Sequence, residues 1–206
     1  GGFNRLFIEE NMLTKKSIFL AILFTLSMIM VACSSQEYTT AKLAIQQSDF
    51  VKAAEWLPKA MAVEPDNPEI PVVLGLEIHA QDGDWKNMVA MFDKAMAIDP
   101  DKEIEVRGSF ISVKDAVANY IEFYWAKEFN IGVEQFKKIQ DDPDNKPQYL
   151  ETAISHFQNA AVINPTDANT HATLAKCYFD VGDKEAAKNA ALTAIEKNPE
   201  SFQANF

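Results

Sequence analysis

Cysteine, histidine and glycine are scarce in this chain: two, three and seven among 206 residues. With so few thiols, a disulfide-stapled fold is excluded. The histidines, His79, His156 and His171, lie far apart and none has a partner ligand four residues on, so no metal pair is visible. There is no glycine-rich phosphate loop, no nucleophile elbow and no Ser/His/Asp set. Basic residues are also in the minority, with 19 Lys and Arg against 30 Asp and Glu, for a net charge of −11. That balance argues against nucleic acid and against anionic headgroups, both of which need clustered cations. The acidic runs Asp99-Pro100-Asp101 and Asp141-Asp142-Pro143-Asp144-Asn145 resemble calcium ligands only superficially. Counted from Asp142 as an EF-hand loop, the glycine place holds Pro147 and the terminal glutamate place holds Ala153. These residues read as turns. Neither an enzyme nor a cofactor is expected.

What the chain does have is a recurring proline. Pro65, Pro100, Pro165 and Pro199 each follow a small or flexible apolar residue, Ala53, Met88, Ala153 and Ala187, at a constant interval. Two further apolar positions lie between, four and seven residues on: Leu57/Ala60, Phe92/Ala95, Phe157/Ala160 and Ala191/Ala194. That spacing is one face of a helix, closed by the proline. The first and last intervals between prolines are close to 34 residues, a period that marks stacked helical pairs. One pair cannot bury its apolar face alone, so pairs stack into a solenoid.

The fourth unit is the fullest, with Leu174-Ala175-Lys176-Cys177-Tyr178, Val181-Gly182-Asp183, Ala187, Ala191, Ala194 and Asn198-Pro199. The first has Ser48-Asp49-Phe50 and Glu64-Pro65-Asp66-Asn67; the second has Leu74-Gly75, Gly83-Asp84-Trp85 and Asp99-Pro100-Asp101; the third has Asn130-Ile131-Gly132-Val133 and Asn164-Pro165. On these residues the chain resembles the tetratricopeptide repeat family. The expectation is an all-α solenoid of about four helix pairs, in units of about 34–67, 68–101, 102–167 and 168–201, after a short linker over 33–39.

Two units depart from the pattern. The second carries one extra residue, so Gly75 falls a place early. The third lacks the Gly-Asp turn, has extra residues in the turn around Asp141 to Pro147, and has a further insertion before its first helix. Within that insertion Ser112-Val113-Lys114-Asp115 reads as a capping box. No proline interrupts the stretch from Val113 to Gln140, and Val117, Tyr120, Ile121, Tyr124, Trp125, Phe129 and Phe136 recur along it. One extended helix over about 113–140 is expected, about 42 Å long at ~1.5 Å per residue. The alternating run Ile104 to Ile111 suggests extended chain or a small hairpin. The aromatic group on the long helix serves either to bury two faces or to leave one open for docking. Cys177, beside Tyr178 on an apolar helix, reads as a buried core residue.

The front of the chain carries an address. Met12-Leu13-Thr14-Lys15-Lys16 is basic, Ser17 to Met30 is almost wholly apolar, and Val31-Ala32-Cys33-Ser34-Ser35 comes next. This is the order of a secretory signal, here over 12–32. The apolar run is short for a membrane-spanning helix. The cysteine after Val-Ala resembles a bacterial lipoprotein processing site, with Met30 where leucine is usual. The resemblance implies lipidation at Cys33 and a membrane anchor facing the periplasm. Ser34, in place of aspartate, implies the outer rather than the inner membrane. Residues 1–11 precede a good start methionine and read as a non-native upstream segment; the chain stops after Phe206 where another helix is expected, which reads as truncation.

In the tetratricopeptide repeat family the first helices line a concave groove that receives extended peptides or helices. By matching position, Ala126, Phe129, Val133, Phe136 and Lys137 face it in the third unit, and Asn169, Ala172, Lys176, Phe179 and Asp180 in the fourth. A family Lys/Asn clamp for a peptide carboxylate is not matched, since the corresponding pairs are Phe129/Val133 and Ala172/Lys176. The function expected is a membrane-tethered interaction module with a protein or peptide ligand. The alternative is a fixed accessory subunit of an envelope assembly, secretion or cell-wall enzyme complex.

Overall fold

The computed structural model describes residues 34–200, and within that span one turn is used three times. Ser48, Gly83 and Gly182 adopt φ of 58°, 69° and 85°. The next residue, Asp49, Asp84 or Asp183, donates its N–H back to the helix just ended, to the carbonyls of Ala44, His79 and Tyr178 at 2.8, 2.8 and 2.9 Å. Each aspartate side chain then accepts from the N–H of Lys52, Asn87 or Ala186, capping the next helix. One short turn thus ends a first helix and starts its antiparallel partner. Each second helix ends in the same way: Glu64, Asp99, Asn164 and Asn198 donate N–H to the carbonyls of Ala60, Ala95, Ala160 and Ala194, and proline comes at once.

The pairs are α1 (Gln36–Gln46) with α2 (Phe50–Val63), and α3 (Glu69–Leu74) with α4 (Trp85–Ile98). Strands β1 (Glu103–Val106) and β2 (Ser109–Ser112) come next. They are succeeded by α5 (Val113–Asp141) with α6 (Lys146–Ile163), and α7 (Ala168–Asp180) with α8 (Lys184–Lys197). The fold is all-α apart from the hairpin. The extended helix runs 29 residues, as its unbroken apolar pattern predicts. Ser112 caps it: its Oγ accepts from the Asp115 N–H at 3.2 Å and donates to Asp115 Oδ2 at 2.6 Å. The carboxylate therefore meets the cap's hydroxyl, where the usual box would have it meet the cap's backbone N–H. The first helix begins at Gln36, inside the stretch 33–39 that composition marks as linker, because Ser35 Oγ accepts from the Tyr38 N–H at 3.1 Å.

The extra residue of the second unit is absorbed by a π-helical turn, Gly75–His79, continuing α3. A wider turn takes in one residue without rotating what precedes it. Gly75 therefore still faces Phe92, where an added Cβ would come within 2.9 Å of the ring. Gly132 faces Phe157 in the third unit, an added Cβ falling 2.7 Å away. Glycine at these two points lets the helix backbone meet a ring face directly.

Three clusters of side chains keep the stacking order. Tyr38, Ala41, Ala44, Ala53, Leu57, Ala60 and Ile70 form the first. The second joins Leu76, Trp85, Met88 and Phe92 to Val113, Val117, Tyr124 and Ile163, and takes in Ile104 and Val106 from the hairpin. The third gathers Ala153, Phe157, Leu174 and Cys177, with Phe129, Val133 and Phe136 packed on it. The long helix thus buries two aromatic faces. Tyr124 meets Trp85 with centroids 5.4 Å apart, and Phe129 meets Phe157 at 5.2 Å. Phe123 is left 60% exposed.

Candidate functional site

The residues expected from the family pattern to line a groove lie on α5 and α7. Phe129, Val133 and Phe136 are half-buried on the third cluster, and Lys176 Nζ lies 5.3 Å from the Phe136 ring centroid. Trp125 stacks on Phe129 at 5.4 Å and its indole N–H donates to Thr170 Oγ1 at 3.0 Å, tying the two helices. Ala126 and Ala172 are half-buried; Lys137, Asn169 and Asp180 are exposed, and Phe179 is 68% exposed. These α5 residues are thus largely drawn into packing, while Phe179 and Asp180 near the end of α7 stay exposed.

A concavity lies in the first half of the array. An open cleft of about 530 Å³ is formed by α1, α3 and the hairpin, with Leu43, Val73 and Val106 among its apolar walls. Clefts of ~300–1,000 Å³ with a few convergent polar groups are the usual shape of a binding site. The hairpin reaches it because the two-residue turn Arg107–Gly108 has φ of 50° and 79°, the geometry that matches strand twist. Positive φ at Arg107 is a strained conformation for a side chain of that size, and the cleft holds it there: Arg107 Nε donates to Glu77 Oε1 at 2.7 Å, with its guanidinium 5.6 Å from the Tyr120 ring. The bond to Glu77 holds the guanidinium's pKa above its ordinary value against the opposing effect of burial.

Glu69 is the second anchor. Its Oε1 accepts from the buried Tyr38 hydroxyl at 2.6 Å, and its Oε2 accepts from the Glu105 N–H at 3.3 Å. Burial, reinforced by the carboxylate of Glu69, drives the Tyr38 phenol far above its ordinary pKa, so it stays a donor. Lys42 Nζ lies over the Tyr38 ring at 4.6 Å and 3.9 Å from Glu69 Oε1. The walls of the cleft are thus cross-tied by paired charges. Sequence reasoning missed this site. The one signal pointing to it is the alternating insertion; the pairs Tyr38–Glu69 and Glu77–Arg107 join segments about thirty residues apart, with no shared periodicity.

A second polar group is buried between α5 and α6. Glu128 is 5% exposed and its Oε2 meets His156 Nδ1 at 2.8 Å and accepts from Asn159 Nδ2 at 2.9 Å. His156 is therefore held in packing. Cys177 is buried, and burial pushes its thiol up to about 11. Among the described residues no three His, Cys, Asp or Glu side chains gather as a metal site, and no helix is long and apolar enough to cross a membrane. Cys33, the signal segment 12–32, residues 1–11 and the last six residues lie outside the described residues.

Residues 150–205 match the family model described as tetratricopeptide repeat. No curated protein matches the chain. Among solved structures the chain is similar to several of MamA. One, titled "MamA 41-end from Desulfovibrio magneticus RS-1", is 16% identical, with 81% of this chain and 98% of that one covered and a TM-score of 0.33. A second, a MamA RS-1 double mutant, is 16% identical over 83% and 99% at a TM-score of 0.36. A third, MamA MSR-1, is 20% identical over 77% and 72% at a TM-score of 0.30.

Proposed function

We propose that this chain, a tetratricopeptide repeat protein, is a membrane-tethered docking module of a bacterial envelope, exported and held by lipid on Cys33, with the outer membrane as its site. What supports the reading is the pairing of stacked helix pairs carrying a preformed cleft with a sequence of the processing-signal type immediately before them. Ser35 is already locked into the fold: its side chain caps α1 and its N–H donates to Glu64 Oε1 at 2.5 Å. One residue, Ser34, therefore separates Cys33 from the ordered repeats. Diacylation gives lasting attachment where a single chain does not, and so short a tether would hold the repeats against the membrane face. The acidic surface suits a protein ligand in the periplasm better than anionic lipid or nucleic acid.

Intact mass of the mature protein from membranes tests the tether. The expected mass begins at Cys33 with lipid added, and the addition disappears in Cys33→Ala. An unmodified soluble product would overturn the tether. Docking is tested by cross-linking in envelopes and pull-down against a repeat-scrambled control; a fixed stoichiometric complex would instead support the accessory-subunit alternative.

A further inference from the structure

We infer that the cleft between α1, α3 and the hairpin receives an extended, basic peptide segment of the partner, added as a third strand on the free edge of β1. This rests on the protein-docking reading above and goes further by naming the chemistry of the ligand.

The strand edge comes first. The sheet has two strands, with Glu103 opposite Ser112 and Val106 opposite Ser109. Across a two-residue turn the flanking pair, Val106 and Ser109, exchanges the ladder bonds, and so does Ile104 with Ile111. Glu103 and Glu105 therefore turn their N–H and C=O groups to the other side. That side is the cleft, because Glu105 lines it and its N–H is met there by Glu69. The contact is long at 3.3 Å and comes from a side chain, so a backbone carbonyl can replace it. An unpaired edge beside a cleft is a template for another strand. Four residues of β1 span about 13 Å at ~3.3 Å each, room for a short segment.

Charge selects the occupant. Both cations of the cleft are engaged, Arg107 with Glu77 and Lys42 with Tyr38 and Glu69. Glu105 and Glu103 have no charged partner among the described residues, and as alternate residues of one strand they face the same way. The surplus is negative, in a chain of net charge −11. A strand with lysine or arginine at every second position meets both carboxylates. Its intervening apolar side chains turn inward with Ile104 and Val106, toward Val73 and the 49%-exposed Leu43.

The test is fluorescence anisotropy on the full chain with a labelled peptide of alternating lysine and valine. Binding is expected, weakened about tenfold by Glu105→Lys through like-charge repulsion. Glu105 is exposed, so the fold persists, which circular dichroism checks. Backbone N-methylation of alternate peptide residues abolishes binding if a strand is added. Glu185→Lys, at the far end of the array, leaves binding unchanged and separates site from bulk charge. Equal binding of a glutamate–valine peptide, or indifference to either Glu105→Lys or N-methylation, overturns the inference. If a partner is recovered equally by wild type and Glu105→Lys, the docking reading survives and this inference falls.

Discussion

Gly132→Ala is expected to destabilise the protein, although alanine in place of a helix-interior glycine ordinarily stabilises by ~0.8–1 kcal/mol. The new Cβ would lie 2.7 Å from Phe157 Cε1 and 2.9 Å from Cδ1 and Cζ. Ordinary carbon contacts are ~3.5–4.0 Å, so the ring must retreat by about 1 Å. It has nowhere to go: Phe157 is fully buried, the Phe129 ring lies 5.2 Å away, and Leu174 and Cys177 share the cluster. Overpacking of this kind costs ~1–3 kcal/mol, which offsets the propensity gain and leaves a net loss of up to ~2 kcal/mol. Gly75→Ala is expected to lose less, since only one ring atom of Phe92 falls under 3.0 Å. The decisive comparison is Gly132→Ala in a Phe157→Leu background, where the space is restored and the substitution becomes stabilising. The first repeat already has that arrangement, with Ala41 and Leu57 both fully buried at the matching positions. Urea denaturation monitored by circular dichroism reads all four corners of the cycle. A Gly132→Ala variant more stable than wild type, or a substitution of the same sign in both backgrounds, would refute the close-approach argument.

Glu128→Ala removes the acceptor shared by His156 and Asn159 and is expected to cost ~1–3 kcal/mol in the same assay; Glu128→Gln, which keeps an oxygen there, costs less. Burial raises the Glu64 carboxyl, but hydrogen bonds from Ser35 and Asn67 outweigh it and hold the pKa below the ordinary glutamate value. A depressed folded pKa contributes stability that is fully present above the unfolded value of ~4.3 and is lost as pH falls through the folded value. Wild type should therefore exceed Glu64→Gln in melting temperature at neutral pH and converge with it in acid; a gap that widens in acid would contradict this. The Cys177 thiol, buried and pushed up to about 11, should resist a disulfide reagent in the native protein and react only as the array unfolds, so fast native labelling at about pH 8 would count against its burial.

Much of the scaffold was legible because its signals are local. Ser48-Asp49, Gly83-Asp84 and Gly182-Asp183 announce a left-handed residue with a cap directly after it, and the structure uses all three that way. The absence of proline from 113 to 140, with aromatic residues at helical spacing, gave away the long helix. The π turn was harder: the misplaced Gly75 shows that a residue is extra but not whether a loop or a helix takes it in. Glu128 was missed because a lone glutamate on a charged helix looks like any solvated residue until His156 and Asn159 are brought to it. Composition also misjudged where α1 begins, because the serine that reads as linker is its cap.

The hairpin explains why the two halves of the array differ. A loop of its length could lie on the surface and leave the stack unchanged. Instead Ile104 and Val106 are buried in the same cluster as Trp85, Phe92 and Ile163, so the inserted strand completes the core between the second and third pairs. Strand alternation sets the remaining geometry. If residues 104 and 106 point into the core, 103 and 105 must point away, and the turn at 107–108 must overhang α3. There Arg107 finds Glu77, and the Glu105 N–H finds Glu69, which already holds Tyr38 of α1. Burying two apolar side chains therefore builds the third wall of the cleft as a geometric consequence. Replacing Ile104 or Val106 with a polar residue would disturb core and cleft together, whereas Glu105 can be changed without touching the core.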